Sequence, residues 1–260
     1  MSTGTRPVVV KVGGSTLGEA DTTAADLAAL QREGVPVVVV HGGGKVINRW
    51  LDLHGIESRF VRGLRVTDQA ALDVVVAVLA GLVNTALVAE IAAAGGRAAG
   101  LAGPDGGTVL AEQMDPELGR VGRVTAVRTE LLEALLAAGV MPVLAPIGLD
   151  ADGGLLNINA DTVAGEVARA LAAASLVFLT DVPGVLDGDR APLPRVTREE
   201  VARLSAAGVI AGGMMPKVEA CLRAAEAGAT ARIVDGRQAH ALLDAVLPGR
   251  AGRPAGTVVG

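Results

Sequence analysis

Apolar residues in this chain fall into two rhythms. Val8-Val9-Val10-Lys11-Val12 and Val37-Val38-Val39-Val40 are continuous runs, and both lead into glycines. Continuous apolar runs bounded by glycine predict strands buried on both faces, as in parallel sheets. Between them, residues 21–33 begin polar, set Leu27 and Leu30 on one face and stop at Gly34, which predicts a helix. The second run enters His41-Gly42-Gly43-Gly44 directly. Ile47, Trp50, Leu51 and His54 then come at helical spacing as far as Gly55.

This strand–glycine–helix unit recurs. Residues 68–94 read as one long helix and 100–124 as a hairpin excursion rich in Gly and Asp. Residues 129–138 and 161–173 read as helices, and 141–147 and 155–159 as extended. A short β-run over 176–180 leads into Asp181-Val182-Pro183-Gly184-Val185. Thr197-Arg198-Glu199-Glu200 has capping-box spacing, 215–227 reads as a helix and 231–234 as a late strand. Such alternation predicts an α/β fold, a three-layer αβα sandwich around a central, mostly parallel open sheet. No linker or repeat interrupts it, so residues 1–260 read as a single domain of two closely joined lobes.

Composition narrows the chemistry. Half the residues are hydrophobic, and the mean hydropathy of +0.47 raises the question of a membrane. The best span, residues 74–89, is short for a bilayer and carries Asn84 and Thr85; residues 134–149 are broken by Gly139, Pro142 and Pro146. Neither is expected to cross. A single cysteine removes disulfide frameworks and multi-cysteine metal sites. No charged-then-apolar leader precedes the first strand, which makes a cytoplasmic location the expectation. A net charge of -5 with one Trp, two Phe and no Tyr disfavours nucleic acid as a partner. A small-molecule enzyme is left.

Glycines cluster past the predicted strand ends, at Gly13-Gly14, Gly42-Gly43-Gly44, Gly184 and Gly212-Gly213. Open α/β sheets bind ligands there, and glycine lets backbone N–H groups approach an anion beside a helix N-terminus. Standard phosphate motifs are absent: Val46 follows Gly44-Lys45, Val39 occupies the Walker-A glycine position, and no G-x-G-x-x-G follows a strand. Only Lys11, Lys45 and Lys217 are lysines. Lys11 ends a valine strand and Lys217 follows a glycine pair, which suits compact charges serving phosphate, whereas Lys45 reads as solvated. Asp161 opens a helix, so its carboxylate either caps that helix or holds the two lysines; spacing leaves both open. Cys221 reads as core, His54 as a helix C-terminal residue, His240 as surface and His41 as a brace for the glycine loop.

Six blocks together resemble the amino-acid kinase family, and within it the branch acting on N-acetyl-L-glutamate. They are Lys11-Val12-Gly13-Gly14, His41-Gly42-Gly43-Gly44, Gly63-Leu64-Arg65-Val66-Thr67-Asp68, Asn157-Ile158-Asn159-Ala160-Asp161, Thr180-Asp181-Val182-Pro183-Gly184-Val185 and Gly212-Gly213-Met214-Met215-Pro216-Lys217. The resemblance implies phosphoryl transfer from ATP to the substrate's side-chain carboxylate. It implies Lys11, Lys217 and Asp161 as the catalytic set, with Asp161 organising the lysines. Gly43, Gly44, Arg65 and Asn157 would bind substrate, Arg65 through the α-carboxylate. ATP would lie along Gly13 and Gly14, then Thr180, Asp181, Val182, Pro183, Gly184, Val185 and Leu186, and Val209, Ile210 and Ala211. Mg²⁺ would be held mainly by the nucleotide phosphates, with no metal site on the protein. Residues up to about 174 would form the substrate and dimerisation lobe, and those from about 175 the nucleotide lobe. The short polar lead 1–7 and the tail 249–256 lack the features of arginine-inhibited members, so a plain homodimer built through residues 74–89 is expected.

Elementary chemistry agrees. A carboxylate with a pKa of about 4 is already ionised at neutral pH and needs no general base. The difficulty is bringing an anion against a polyanion, which calls for lysines and preorganised N–H donors. The forked guanidinium of Arg65 suits a second, non-reacting carboxylate. Two other readings stay open: a kinase for a one-methylene-longer aminoadipate derivative, and a non-catalytic regulator that binds nucleotide or amino acid.

Overall fold

The computed structural model describes residues 5–13, 22–247, 249 and 256–260. Its strands are β1 (Val8–Val12), β2 (Val37–His41), β3 (Phe60–Val61), β4 (Leu64–Arg65), β5 (Ala98–Ala102), β6 (Val109–Gln113) and β7 (Gly122–Val127). They continue with β8 (Met141–Ala145), β9 (Ile147–Leu149), β10 (Leu155–Asn157), β11 (Ser175–Thr180), β12 (Arg195–Val196), β13 (Thr230–Asp235) and β14 (Thr257–Val259). Eight of them form one sheet in the order β12-β14-β13-β11-β1-β2-β8-β5. All its pairings are parallel except β13 with β14. The predicted layering is therefore present, with β1 and β11 adjacent at the middle.

Helices α1 (Thr23–Arg32), α2 (Gly44–Leu53), α3 (Gln69–Val76), α4 (Asn84–Ala93) and α5 (Glu130–Ala137) belong to the first part of the chain. They are succeeded by α6 (Ala160–Ala170), α7 (Arg198–Ala206), α8 (Met214–Glu226) and α9 (Ala241–Val246). Alternate residues of each valine run face opposite layers, because successive strand side chains point to opposite sides. Val9, Val38, Val40, Leu144, Leu176, Phe178 and Ile233 pack with α6, α7 and α8. Val8, Val10, Val37, Val39, Val143, Val177 and Leu179 pack with α1, α4 and α9. Both faces are covered, which is why the runs are continuous rather than alternating; each fully buried side chain contributes roughly 1.5–3 kcal/mol.

Two parts of the chain depart from the expectation. The excursion over 100–124 divides: Ala98–Ala102 is the edge strand of the large sheet, and only β6 and β7 pair as a hairpin. That hairpin joins β9 and β10 in a second, four-stranded sheet that the periodicity did not reveal. The long helix is also interrupted, since Ala77–Val83, between α3 and α4, is π-helical. A π turn absorbs an extra residue and so rotates the next helical segment by about 100° relative to an unbroken α-helix. By length and apolarity the whole Gln69–Ala93 stretch could cross a bilayer. Its inner face is instead packed in the interior, through Val75, Val78, Leu79, Leu87 and Ile91. The capping box at Thr197 and Glu200 is present.

Helices α6 and α8 cross at Gly165, where an added Cβ would lie 2.8 Å from Ala220 Cβ and 3.0 Å from its Cα. This close crossing sets the distance between the starts of the two helices, where Asp161 and Lys217 sit. Helix propensity favours a larger residue at position 165 by less than about 1 kcal/mol. Overpacking of a filled core costs about 1–3 kcal/mol and wins. Gly165→Val is therefore expected to lower unfolding free energy by about 2 kcal/mol in urea titrations. An unchanged denaturation midpoint would show that the crossing is not tight.

Candidate active site

Asn159, not Asp161, caps α6: its Oδ1 accepts from Asp161 N at 2.9 Å and Thr162 N at 3.1 Å. That releases the Asp161 carboxylate for the second of its two anticipated roles. Lys11 Nζ lies 2.9 Å from Asp161 Oδ1 and Lys217 Nζ 2.7 Å from Oδ2. The Lys11 contact is an ion pair rather than a well-directed hydrogen bond, whereas Lys217 donates to Oδ2 and, at 3.2 Å, to Gly213 O. All three side chains are at least 85% buried. Burial opposes ionisation of Asp161, but the charges of Lys11 and Lys217 outweigh it and hold the carboxyl below the usual carboxylate range. Each ammonium has three donors, so both retain capacity for an anion beyond Asp161.

Beside this triad runs a crevice of about 190 Å³, lined by Gly42, Gly43, Gly44, Arg65, Asn157 and Asn159 among others. Gly43 precedes the ten-residue α2, and no side chain caps that helix end, so its first N–H groups and its dipole are available to an anion. A Cβ on Gly43 would lie 2.7 Å from Leu79 Cδ2 and 3.3 Å from Val83 Cγ2, so a larger residue would require the buried Leu79 side chain to shift. Gly44 has open space around it.

Arg65 is only 8% exposed. Its Nη1 donates to Ser58 Oγ at 2.9 Å and its Nη2 to Asn48 Oδ1 at 2.5 Å, while its guanidinium stacks 4.7 Å over the Phe60 ring. Among the described residues no carboxylate pairs with it; Asp68, three residues on, caps α3 by accepting from Ala71 N. Burial accordingly pushes the Arg65 pKa down from its ordinary value with nothing to offset it. A buried guanidinium held only by neutral oxygens is poised for an incoming carboxylate. Asn157 Nδ2 donates to Thr67 Oγ1 at 3.0 Å, and that hydroxyl donates to Arg65 O, which ties the β10 end to the β4 end.

The residues anticipated for nucleotide lie at the carboxyl ends of β1 and β11 and ahead of α8. Thr180 ends β11, and Asp181, Pro183, Val209 and Ala211 are exposed. Val185 and Ile210 are core residues, so only their backbone can face a ligand. Gly184 has φ +145° and approaches Thr257, whose Oγ1 accepts from Val185 N at 2.9 Å and donates to Leu193 O at 2.5 Å. Gly13 N donates to Leu179 O at 3.3 Å; Gly14 lies outside the described residues.

Sequence reading missed Asn48, Ser58 and Phe60 around Arg65, and Thr257 under the Asp181–Leu186 loop. It missed Arg237 too, which grips Asp235 at the end of β13 with two bonds of 2.8 Å. None carries a motif signal: Asn48, Ser58 and Phe60 gain their role only by folding onto Arg65, Thr257 reaches Val185 across 72 residues, and Arg237 turns back on Asp235 two residues before it. His240 is half-exposed as expected, yet its Nδ1 meets the buried Asp26 at 2.8 Å. His54 ends α2 against Trp50 O, Lys45 is exposed and Cys221 is fully buried, which pushes its thiol pKa up. A larger cavity of about 710 Å³ opens near Arg6, Gln31 and Glu133 at the amino ends of the strands. It contains none of these groups, and its size carries no functional weight.

Residues 6–235 match the family described as the amino acid kinase family. Acetylglutamate kinase of Novosphingobium aromaticivorans is 46% identical, over 96% of this chain and 89% of its own length. Acetylglutamate kinase of Dehalococcoides mccartyi is 44% identical, over 94% and 92%. Among solved structures, smu.665 from Streptococcus mutans superposes with a TM-score of 0.83 at 30% identity, over 97% of each chain. The motifs, the layered sheet and these matches agree, and the chain belongs to the amino acid kinase family.

Proposed function

We propose that this chain carries out the acetylglutamate kinase reaction, transferring the γ-phosphoryl group of ATP to the side-chain carboxylate of N-acetyl-L-glutamate in arginine biosynthesis. The observation that carries the reading is the Lys11–Asp161–Lys217 triad, with its two contacts of 2.9 and 2.7 Å beside a glycine-lined crevice. Its relatives at 44–46% identity bear the same activity in their names.

In this reading Arg65 takes the substrate's α-carboxylate, with Asn48 and Ser58 fixing the plane of the guanidinium and Asn157 meeting the amide end. The side-chain carboxylate attacks phosphorus as an anion, and its P–O bond forms as the bond to ADP breaks. Lys11 and Lys217 stabilise charge on the equatorial and leaving oxygens, and Gly43 and Gly44 N–H groups assist. Asp161 keeps both ammonium groups charged and in place. ATP lies along Gly13, Thr180–Leu186 and Val209–Ala211. Mg²⁺ would be held by the nucleotide phosphates and would offset their charge there; Asp161, whose two oxygens face ammonium groups, would take no part in holding it. The exposed positions of the long helix, including Ala77, Gly81, Thr85 and Ala89, are the proposed homodimer contact in a cytoplasmic enzyme.

Release of ADP is expected with N-acetyl-L-glutamate and not with glutamate, aspartate or UMP; faster turnover of N-acetyl-aminoadipate would move the assignment to the longer homologue. Lys217→Ala or Lys11→Ala is expected to cut kcat by about 10²–10³, the scale of a lost charge stabiliser, and a near-normal kcat would refute the mechanism. Arg65→Ala should chiefly raise the KM for the amino acid, by about tenfold or more; a fall in kcat alone would place Arg65 elsewhere. Light scattering on a sizing column is expected to give twice the chain mass of 26.0 kDa, unaffected by arginine. A hexamer, or inhibition by millimolar arginine, would overturn that part.

A further inference from the structure

His41 ends β2 and is 1% exposed; Asn84 opens α4, immediately after the π-helical turn, and is 3% exposed. The two are 43 residues apart and meet beneath the glycine loop, where Asn84 Nδ2 lies 3.1 Å from His41 Nε2 and 2.9 Å from Val143 O. An amide NH₂ has two protons, and one goes to the carbonyl of Val143. Turning the amide over would set Oδ1 against that carbonyl, oxygen to oxygen, so the orientation is fixed. The second proton has His41 Nε2 at 3.1 Å and Leu101 O at 3.5 Å; the nearer ring nitrogen accepts it, since an Nε2–H would set donor against donor. The ring's own proton is thereby placed on Nδ1, which lies 3.0 Å from Gly42 O. Burial lowers the His41 pKa, the bond to Gly42 raises it, and the Lys11 charge lowers it again; the net shift is downward, and the ring is neutral at physiological pH.

The consequence falls on Gly43. The Gly42 carbonyl and the Gly43 N–H share one planar trans peptide, so they point in opposite directions. Gly42 N donates to Val12 O at 2.9 Å, which fixes the other side of the loop. A ring that grips Gly42 O therefore turns the Gly43 N–H away from that ring, and Gly43 lines the crevice. We infer that Asn84 and His41 are positioning residues for phosphoryl transfer, a relay that aims the Gly43 N–H at the transferring group. The space for it is built in: a Cβ on Gly100 would sit 1.9 Å from Asn84 Oδ1, so glycine at that position of β5 is what lets Asn84 enter. The π turn supplies the rest, by setting Leu79 against Gly43 and rotating Asn84 onto the ring.

The relay rests on the proposed role of Gly43, and two measurements separate the two. In two-bond ¹⁵N–¹H spectra of the unmodified protein, His41 is expected as the Nδ1–H tautomer; an Nε2–H or doubly protonated ring overturns the relay whatever the activity. In kinetics, His41→Leu removes the grip on Gly42 O and is expected to lower kcat at least about tenfold, with both KM values changed less than about threefold. His41→Asn, whose Nδ2 can stand in for Nδ1–H, is expected to recover a large part of kcat. Equal losses in both variants, or a kcat for His41→Leu near that of the parent, overturn the inference. Should His41→Leu fail to fold, Asn84→Ser is read in its place with the same expected split. Absence of ADP release by the parent protein would defeat the functional reading and leave the tautomer result standing.

Discussion

Two ammonium groups share one buried carboxylate, and the rest of the molecule is arranged to let them. Lys11 comes from the centre of the sheet, Asp161 from the start of α6 and Lys217 from the start of α8, so three separately packed elements must converge to bring the charges within 3 Å. A lysine buried alone would surrender its proton, and one paired one-to-one would be neutralised. Two lysines on one aspartate leave a surplus of one positive charge, and Arg65 adds another nearby. That local balance outweighs the formal -5 of the whole chain, because exposed charges farther than about 8 Å are screened at physiological salt.

The two kinds of cation suit two kinds of anion. Arg65 is planar, clasped by Asn48 and Ser58 and laid on Phe60, so it offers a fixed fork to a group that stays put through the reaction. The lysines are point charges on flexible stems, suited to a phosphoryl group that changes partners. Backbone donors supply what neither can, since a peptide N–H already aimed needs no reorganisation as charge develops. Hence the glycines matter at these turns less for flexibility than for closeness: a Cβ on Gly43 would press on the buried Leu79 side chain at 2.7 Å.

The legible part of this structure was the local part. Valine runs ending in glycine announced the parallel strands, Thr197 with Glu200 announced a helix start, and the motif blocks pointed to Lys11, Asp161, Lys217 and Arg65. Asp161 was ambiguous from sequence, because both a cap and an ion clamp belong at a helix start, and only Asn159 in the capping position decides between them. The hidden part depends on pairing across long stretches of chain. β6 looked like one arm of a hairpin, yet it also lies beside β9, which leads into the Asn157 strand. Thr257 supports the Asp181–Leu186 loop from 72 residues beyond Val185, and Asn84 reaches His41 across 43. No spacing rule records such contacts, and a π turn leaves almost no mark on a 3.6-residue pattern.

The helix that contains this π turn has two faces with different duties. Its inner face holds Leu79 against Gly43 and Asn84 against His41, while Ala77, Gly81, Thr85 and Ala89 point outward. Small residues outward permit close approach of another helix, and packed interiors transmit displacement rather than absorb it. Any partner seated on the outer face therefore bears on the same rigid body that orients the glycine loop. A softer attachment would let the peptide between Gly42 and Gly43 rotate and lose its aim. The buried amide–imidazole pair, fixed at one end by Val143 O and at the other by Gly42 O, makes that rotation costly, because turning the peptide would leave a buried ring N–H without an acceptor.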